Sequence, residues 1–150
     1  MAKDKEPEQP TPRSRRKPHL DALDKKTLEL INSTAERVHK KINARTLPEL
    51  SFPERSLGNV KYDQKIGYFE LGKGRKTRAL SVNTVKSFAQ TLRLMSISKE
   101  MVENDDFATK REAYYVSKNW GDCKFDDQPE SDAVMDDIEA LASLDGLSRE

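Results

Sequence analysis

Apolar residues recur with a helical period near both ends of this chain and with a strand-like period between them. Leu28, Ile31, Ala35, Val38 and Ile42 follow one another at steps of 3, 4, 3 and 4. That spacing predicts one stripe of an amphipathic helix from about Lys25 to Ala44. The stripe needs a cover, and a partner helix or the chain's own core would serve equally; two heptads are too few to define a coiled coil. Pro48 and Pro53 then punctuate an extended link. Between Asn59 and Leu71 the period shortens. Val60 and Tyr62 alternate with polar residues, Asp63-Gln64-Lys65 can turn, and a second arm containing Gly67 carries Tyr68, Phe69 and Leu71. A β-hairpin is predicted there.

From Ser81 the helical period returns. Val85, Phe88, Ala89, Leu92 and Met95 share a face, Ser81 or Asn83 can cap it, and the helix is expected to reach about Val102, before a break at Asp105-Asp106. Thr109 and Glu112 form a T-x-x-E capping box, so another helix starts at Thr109. At about 100° per residue, Ala113, Val116 and Trp120 fall on one side of it and are expected to face the core. Gly121 and Asp126-Asp127 connect to a last helix that opens near Pro129, has Glu130 and Asp132 in its first turn, buries Val134, Ile138 and Leu141, and stops at Gly146. The fold class is α+β and mainly helical, and three helices after a hairpin are compatible with a helix-turn-helix or winged-helix module.

Composition narrows the picture. The 150 residues suffice for one domain, 35% are charged, and a single cysteine, Cys123, excludes a disulfide framework. No apolar run approaches the roughly 18 residues of a membrane span, and no secretory leader is visible, so the expectation is a cytoplasmic protein without a membrane partner. Residues 1–19 hold four of the seven prolines and the cluster Arg13, Arg15, Arg16, Lys17. They read as a disordered basic arm, either a non-specific DNA contact or a solubilising tail. Residues 20–48 form the amphipathic helical segment, and residues 49–150 the remaining domain.

The formal charge of +1 hides an asymmetry. Residues 126–150 hold nine of the 26 acidic residues and one of the 27 basic ones, so the rest of the chain carries 26 basic and 17 acidic residues. A nucleic-acid partner and a solvated lysine-rich surface both account for that excess. Lys73, Arg75, Lys76 and Arg78, in the Gly72–Arg78 segment, would sit on a flexible loop able to contact a nucleic-acid backbone, or on a surface turn kept soluble by charge. The segment lacks the glycine spacing of a Walker loop.

The candidate chemistry lies in Thr109-Lys110-Arg111-Glu112-Ala113-Tyr114-Tyr115. The start of a helix, with free N–H groups and the positive end of its dipole, favours an anion. Around the axis Tyr115 lies about 40° from Arg111 and Tyr114 about 60°, so either hydroxyl can share a phosphate with the arginine. Lys110, Lys118 and Asn119 would add to a surface for a polyanion. A phenol with its pKa near about 10 needs a base or cations to act as a nucleophile. Arg111 could neutralise charge building on phosphate oxygens. Packing aromatics would give the same local pattern.

Phe107 to Tyr115, followed by Phe125-Asp126-Asp127-Gln128-Pro129-Glu130-Ser131-Asp132, resembles the A subunits of DNA topoisomerase VI and the related meiotic double-strand-break proteins. Upstream, Phe52 to Val60 and Tyr62-Asp63 resemble the same family's entry into its DNA-binding domain. The resemblance runs from about Leu50 onward, with the blocks in the family's order. It implies a winged-helix domain similar to that of catabolite activator protein, truncated here, with Tyr115 as nucleophile and Arg111 as its partner. It implies cleavage of double-stranded DNA by two A subunits, each linked to a 5′ end, within an A2B2 heterotetramer. An ATP-binding B subunit would drive a second duplex through the break for relaxation and decatenation, and the stripe from Leu28 to Ile42 would suit contact with that subunit. Magnesium would be held by a Toprim domain, which this chain reaches Glu150 without showing, so the expectation is no metal site in the Asp126–Asp137 acidic stretch and no activity from the chain alone. The alternatives are a non-enzymatic winged-helix DNA-binding protein or truncated paralogue, and a partner-docking fragment.

Overall fold

The computed structural model describes residues 22–65 and 67–144. The basic arm at 1–19 and the stop at Gly146 lie outside them. Helix α1 (Ala22–Asn43) leads to strand β1 (Glu49–Pro53), a 3-10 turn at Leu57–Asn59, and the hairpin β2 (Val60–Asp63) and β3 (Tyr68–Leu71). Strand β4 (Arg75–Ala79) follows, then α2 (Val85–Asn104), α3 (Lys110–Ser117), a 3-10 turn at Gly121–Cys123, and α4 (Gln128–Leu144). The described chain is therefore α+β and mainly helical, with two two-stranded antiparallel sheets. Among the described residues no helix is long and apolar enough to cross a membrane.

The hairpin at 60–71 stands where the sequence places it, but it is the outer half of a longer ribbon. Strands β1 and β4 pair from Glu49 with Ala79 to Pro53 with Arg75, and β2 and β3 pair beyond them from Val60 with Leu71. The expected extended link at 49–53 is thus a strand, with Leu50 and Phe52 buried, and the expected flexible loop through Arg78 is largely its partner strand. Proline does not prevent this pairing, because Pro48 and Pro53 stand just before and at the end of a strand with one partner.

Asn59 joins the two ladders. Its side-chain amide donates to Glu54 O at 2.7 Å and Gly74 O at 3.1 Å, while its Oδ1 accepts from Gly74 N at 2.8 Å. A Cβ at Gly74 would stand 2.7 Å from that Oδ1, and one at Gly72 would stand 2.5 Å from it. Both glycines are therefore required by close approach rather than by flexibility.

Among the described residues two clusters make the core. Ile31, Val38, Leu50, Phe52, Phe88, Met95 and Leu141 form one, and Leu94, Ala113, Phe125 and Val134 form the other; Ile138 of α4 packs against both. The α1 stripe is covered by the chain's own core, through Ile31, Thr34 and Val38, while Ala35 and Ile42 remain exposed. Helix α2 is central, so it buries two sides: Phe88 and Met95 belong to the first cluster and Leu94 to the second, with Gln90 and Thr91 also buried. Val85, expected on the core face, is exposed at the outer end. Asp105 ends α2 in the left-handed conformation, with φ 53°, and donates its N–H to Met101 and Val102 carbonyls, as the expected break requires.

Candidate active site

Helix α3 begins where its capping box places it. Thr109 Oγ1 accepts from Glu112 N at 3.2 Å, and Glu112 Oε2 accepts from Thr109 N at 2.6 Å. That backbone bond, seconded by the Thr109 hydroxyl, holds the Glu112 carboxyl below the usual glutamate range. The helix turns Ala113 and Ser117 into the protein, both fully or nearly buried. Val116, expected to face the core, is 47% exposed. The inward arc is set by these two small residues, which let α3 approach α4 closely, rather than by the bulkier valine. Trp120 does pack inward, its ring 5.8 Å from that of Phe125, with the Arg93 guanidinium 5.3 Å from its centroid.

This rotation separates the two tyrosines. Tyr114 is half-buried against the second cluster, with Lys118 Nζ 4.2 Å from its ring centroid. Tyr115 is 53% exposed, and its hydroxyl accepts from Arg111 Nε at 3.3 Å and from an Arg111 terminal nitrogen at 3.2 Å. The same bond raises the Arg111 guanidinium above its usual pKa, so it is a permanent cation. The tyrosine rings touch, with centroids 5.5 Å apart and planes at 48°. The exposed phenol with a paired guanidinium is Tyr115; Tyr114 is a packing residue with a cation on its face.

Most of the predicted nucleic-acid cations have partners inside the molecule. Arg75 donates to Ser51 Oγ and Ser51 O, both at 2.9 Å. Lys76 pairs with Asp137 Oδ1 at 2.7 Å, and Arg78 lies 3.6 Å from Asp137 Oδ2 while donating to Thr91 Oγ1 at 2.8 Å. Lys110 pairs with Asp136, and Lys118 donates to Phe125 O at 2.9 Å. Lys73 is exposed beside the ribbon.

Asp136, Asp137 and Arg55 are the residues that the sequence pattern did not single out. Arg55 donates from Nε to Asp137 Oδ1 at 3.2 Å and from NH1 to Asp136 Oδ2 at 3.1 Å. The Asp137 side chain is only 3% exposed and faces three cations, Arg55, Lys76 and Arg78. A signal for this was present: Asp137 is three residues after Val134 and four before Leu141, so a carboxylate stands on the apolar stripe, where burial demands partners. Elsewhere in the acidic stretch Asp127 accepts from Glu130 N at 2.9 Å, Glu130 accepts from Asp126 N at 2.8 Å and Asp126 pairs with Lys86 at 2.7 Å. Among the described residues no group of three or more His, Cys, Asp or Glu could hold a metal ion.

Residues 86–147 match the family described as Type IIB DNA topoisomerase. The chain is 42% identical over 129 residues to the A subunit of Type 2 DNA topoisomerase 6 from Methanocaldococcus jannaschii, covering 83% of this chain and 35% of the relative. The proteins of the same name from Archaeoglobus fulgidus and Sulfurisphaera tokodaii are 27% and 31% identical, covering 83% and 80% of this chain and 35% and 34% of theirs. The chain thus spans about a third of the length of the curated relatives it matches. No solved structure matches it. With α2, α3 and α4 within or overlapping the matched segment, the chain belongs to the family of the topoisomerase VI A subunits.

Proposed function

We propose that this chain is the tyrosine-bearing part of the A subunit in an ATP-dependent type II DNA topoisomerase, and that Tyr115 forms a transient 5′-phosphotyrosyl bond with DNA. The observation that carries it is the double donation from Arg111 to an exposed Tyr115 hydroxyl on a short capped helix. The guanidinium that donates to the phenolic oxygen is always charged, and it can turn to the non-bridging oxygens of an approaching phosphodiester and neutralise the charge that builds there. In the reaction the phenolic oxygen bonds to phosphorus, the bond from phosphorus to the 3′ oxygen breaks, the phenol gives up its proton and the 3′ oxygen gains one. The phosphotyrosyl ester conserves the bond for resealing, which is the same transfer reversed.

The relatives' name supports double-stranded DNA as substrate and, as partner, a B subunit. ATP binding by that B subunit, its place in an A2B2 assembly, and a winged-helix arrangement of the helices with the ribbon complete the proposal. Magnesium belongs to the proposal as the assembly's cofactor, with its ligands outside this chain; Asp126, Asp127, Asp136 and Asp137 already face cations or a helix end. The test is capture of the protein–DNA adduct by the complete A and B assembly with magnesium and ATP. Tyr115→Phe should abolish the adduct and Tyr114→Phe should keep it; an adduct surviving the loss of Tyr115 sinks the assignment. Salt-sensitive DNA binding without any adduct in the complete assembly would favour a binding module instead.

A further inference from the structure

We propose that Asp136 is a positioning residue for Tyr115: through Lys110 it fixes the rotation of α3 about its own axis, and with it the direction of the reactive hydroxyl. This rests on Tyr115 being the nucleophile. Helix α3 has only eight residues and two faces. Lys110, Ala113 and Ser117, at steps of 3 and 4, share the side that contains the buried Ala113 and Ser117, while Arg111 and Tyr115 are exposed. Ala113 and Ser117 allow close approach to α4, but being small they give little resistance to rolling. That resistance comes from the two ends.

At the C-terminal end Lys118 is held by Phe125 O at 2.9 Å. At the N-terminal end Lys110 Nζ meets Asp136 Oδ1, and the other carboxylate oxygen accepts from Arg55 NH1 at 3.1 Å. Arg55 in turn is fixed by the buried Asp137. Asp136 is thus part of a frame that begins in the interior, and it reaches the residue immediately before Arg111. The leverage is large: a roll of roughly 10° moves a group at the outer radius of a helix, about 6 Å, by about 1 Å. Lys110, expected to contact DNA, is assigned by the same geometry to an internal partner.

In the complete A and B assembly, Lys110→Met and Asp136→Asn should each slow adduct formation by about 10- to 100-fold, the usual consequence of a misplacement near 1 Å. Equilibrium DNA binding should be unchanged, and the double variant should be no slower than the worse single one. A phosphate-contacting Lys110 predicts a different pattern: Lys110→Met would weaken DNA binding and flatten its salt dependence, while Asp136→Asn would strengthen binding. That pattern, or additive losses in the double variant, would overturn the proposal. Lys110→Met leaves the Arg55–Asp136 pair in place, so it guards against a result caused by unfolding. A second readout needs no chemistry: the Tyr115 ring resonances should shift in both variants while those of Tyr62 stay. Unmoved Tyr115 resonances overturn the positioning role; shifted resonances with no adduct even from the parent assembly count against Tyr115 as nucleophile instead.

Discussion

Arg111 grips the Tyr115 hydroxyl with two donors, at 3.3 and 3.2 Å, and lies 5.7 Å from the centroid of the same ring. The two residues are one helical turn apart, so the pairing is built into α3 and needs no other element. It differs from a general surface contact in aiming two N–H donors at the oxygen proposed as the nucleophile. Arg111→Lys keeps a cation but loses the planar fork, and adduct formation should fall by roughly 10²-fold, as when one preorganised donor is removed. Single-turnover capture on a nicked or intact duplex measures it, with DNA affinity as the control.

Asp137 should matter for folding rather than for DNA. Its nearly buried carboxylate neutralises cations from the segment after β1 and from β4. Asp137→Ala would strand those cations and is expected to cost about 3 kcal/mol, the lower end for breaking a buried pair because the partners are partly exposed. Urea unfolding reads the loss directly.

The clip at Asn59 yields a coupled pair of variants. Asn59→Ala leaves carbonyls and an N–H without their partner and should cost about 1 to 3 kcal/mol. Gly74→Ala forces a carbon to within 2.7 Å of Asn59 Oδ1, so it too destabilises. In the Asn59→Ala background that clash is gone, and Gly74→Ala should then cost less. A double-mutant cycle on thermal unfolding would show the coupling.

Acid should loosen the α3–α4 region before it unfolds a neutral core. Asp136 is held below the usual carboxylate range chiefly by its hydrogen bond from Lys110, Asp126 by that from Lys86, and Glu112 by the Thr109 backbone. Each folded-state pKa is depressed, so the stabilisation is present above the unfolded value of about 4 and is lost as pH falls through the folded one. Stability measured from pH 7 downward should decline in that window, and the decline should be shallower for Asp136→Asn and for Glu112→Gln.

Local chemistry was legible along the chain and distant pairing was not. The capping box at Thr109 and Glu112, the break at Asp105 and the hairpin within 60–71 depend on neighbours close in sequence and are present as expected, although Asp63, expected in the turn, pairs with Tyr68, and Gly67, expected in the second arm, precedes β3 with φ 80°. The pairing of 49–53 with 75–79 spans an inserted hairpin, and no periodicity in either segment announces its partner. The four cations at 73–78 looked alike in sequence; only the fold distinguishes Lys76 and Arg78, which face Asp137, from Lys73. Val116 misled because spacing fixes which residues share a side of a helix, not how far around that side the neighbouring helix reaches.

Helix α4 has one further consequence. Ile138 packs against both apolar clusters, Asp137 holds β4, and Asp136 holds α3. Domains whose parts can come undone separately lack such a shared element. Here heat or denaturant should find no intermediate that keeps the tyrosine helix after losing the ribbon: fluorescence of Trp120 and circular dichroism of the whole chain should trace one sigmoid, and a single protease cut within 128–144 should release both halves of the core together.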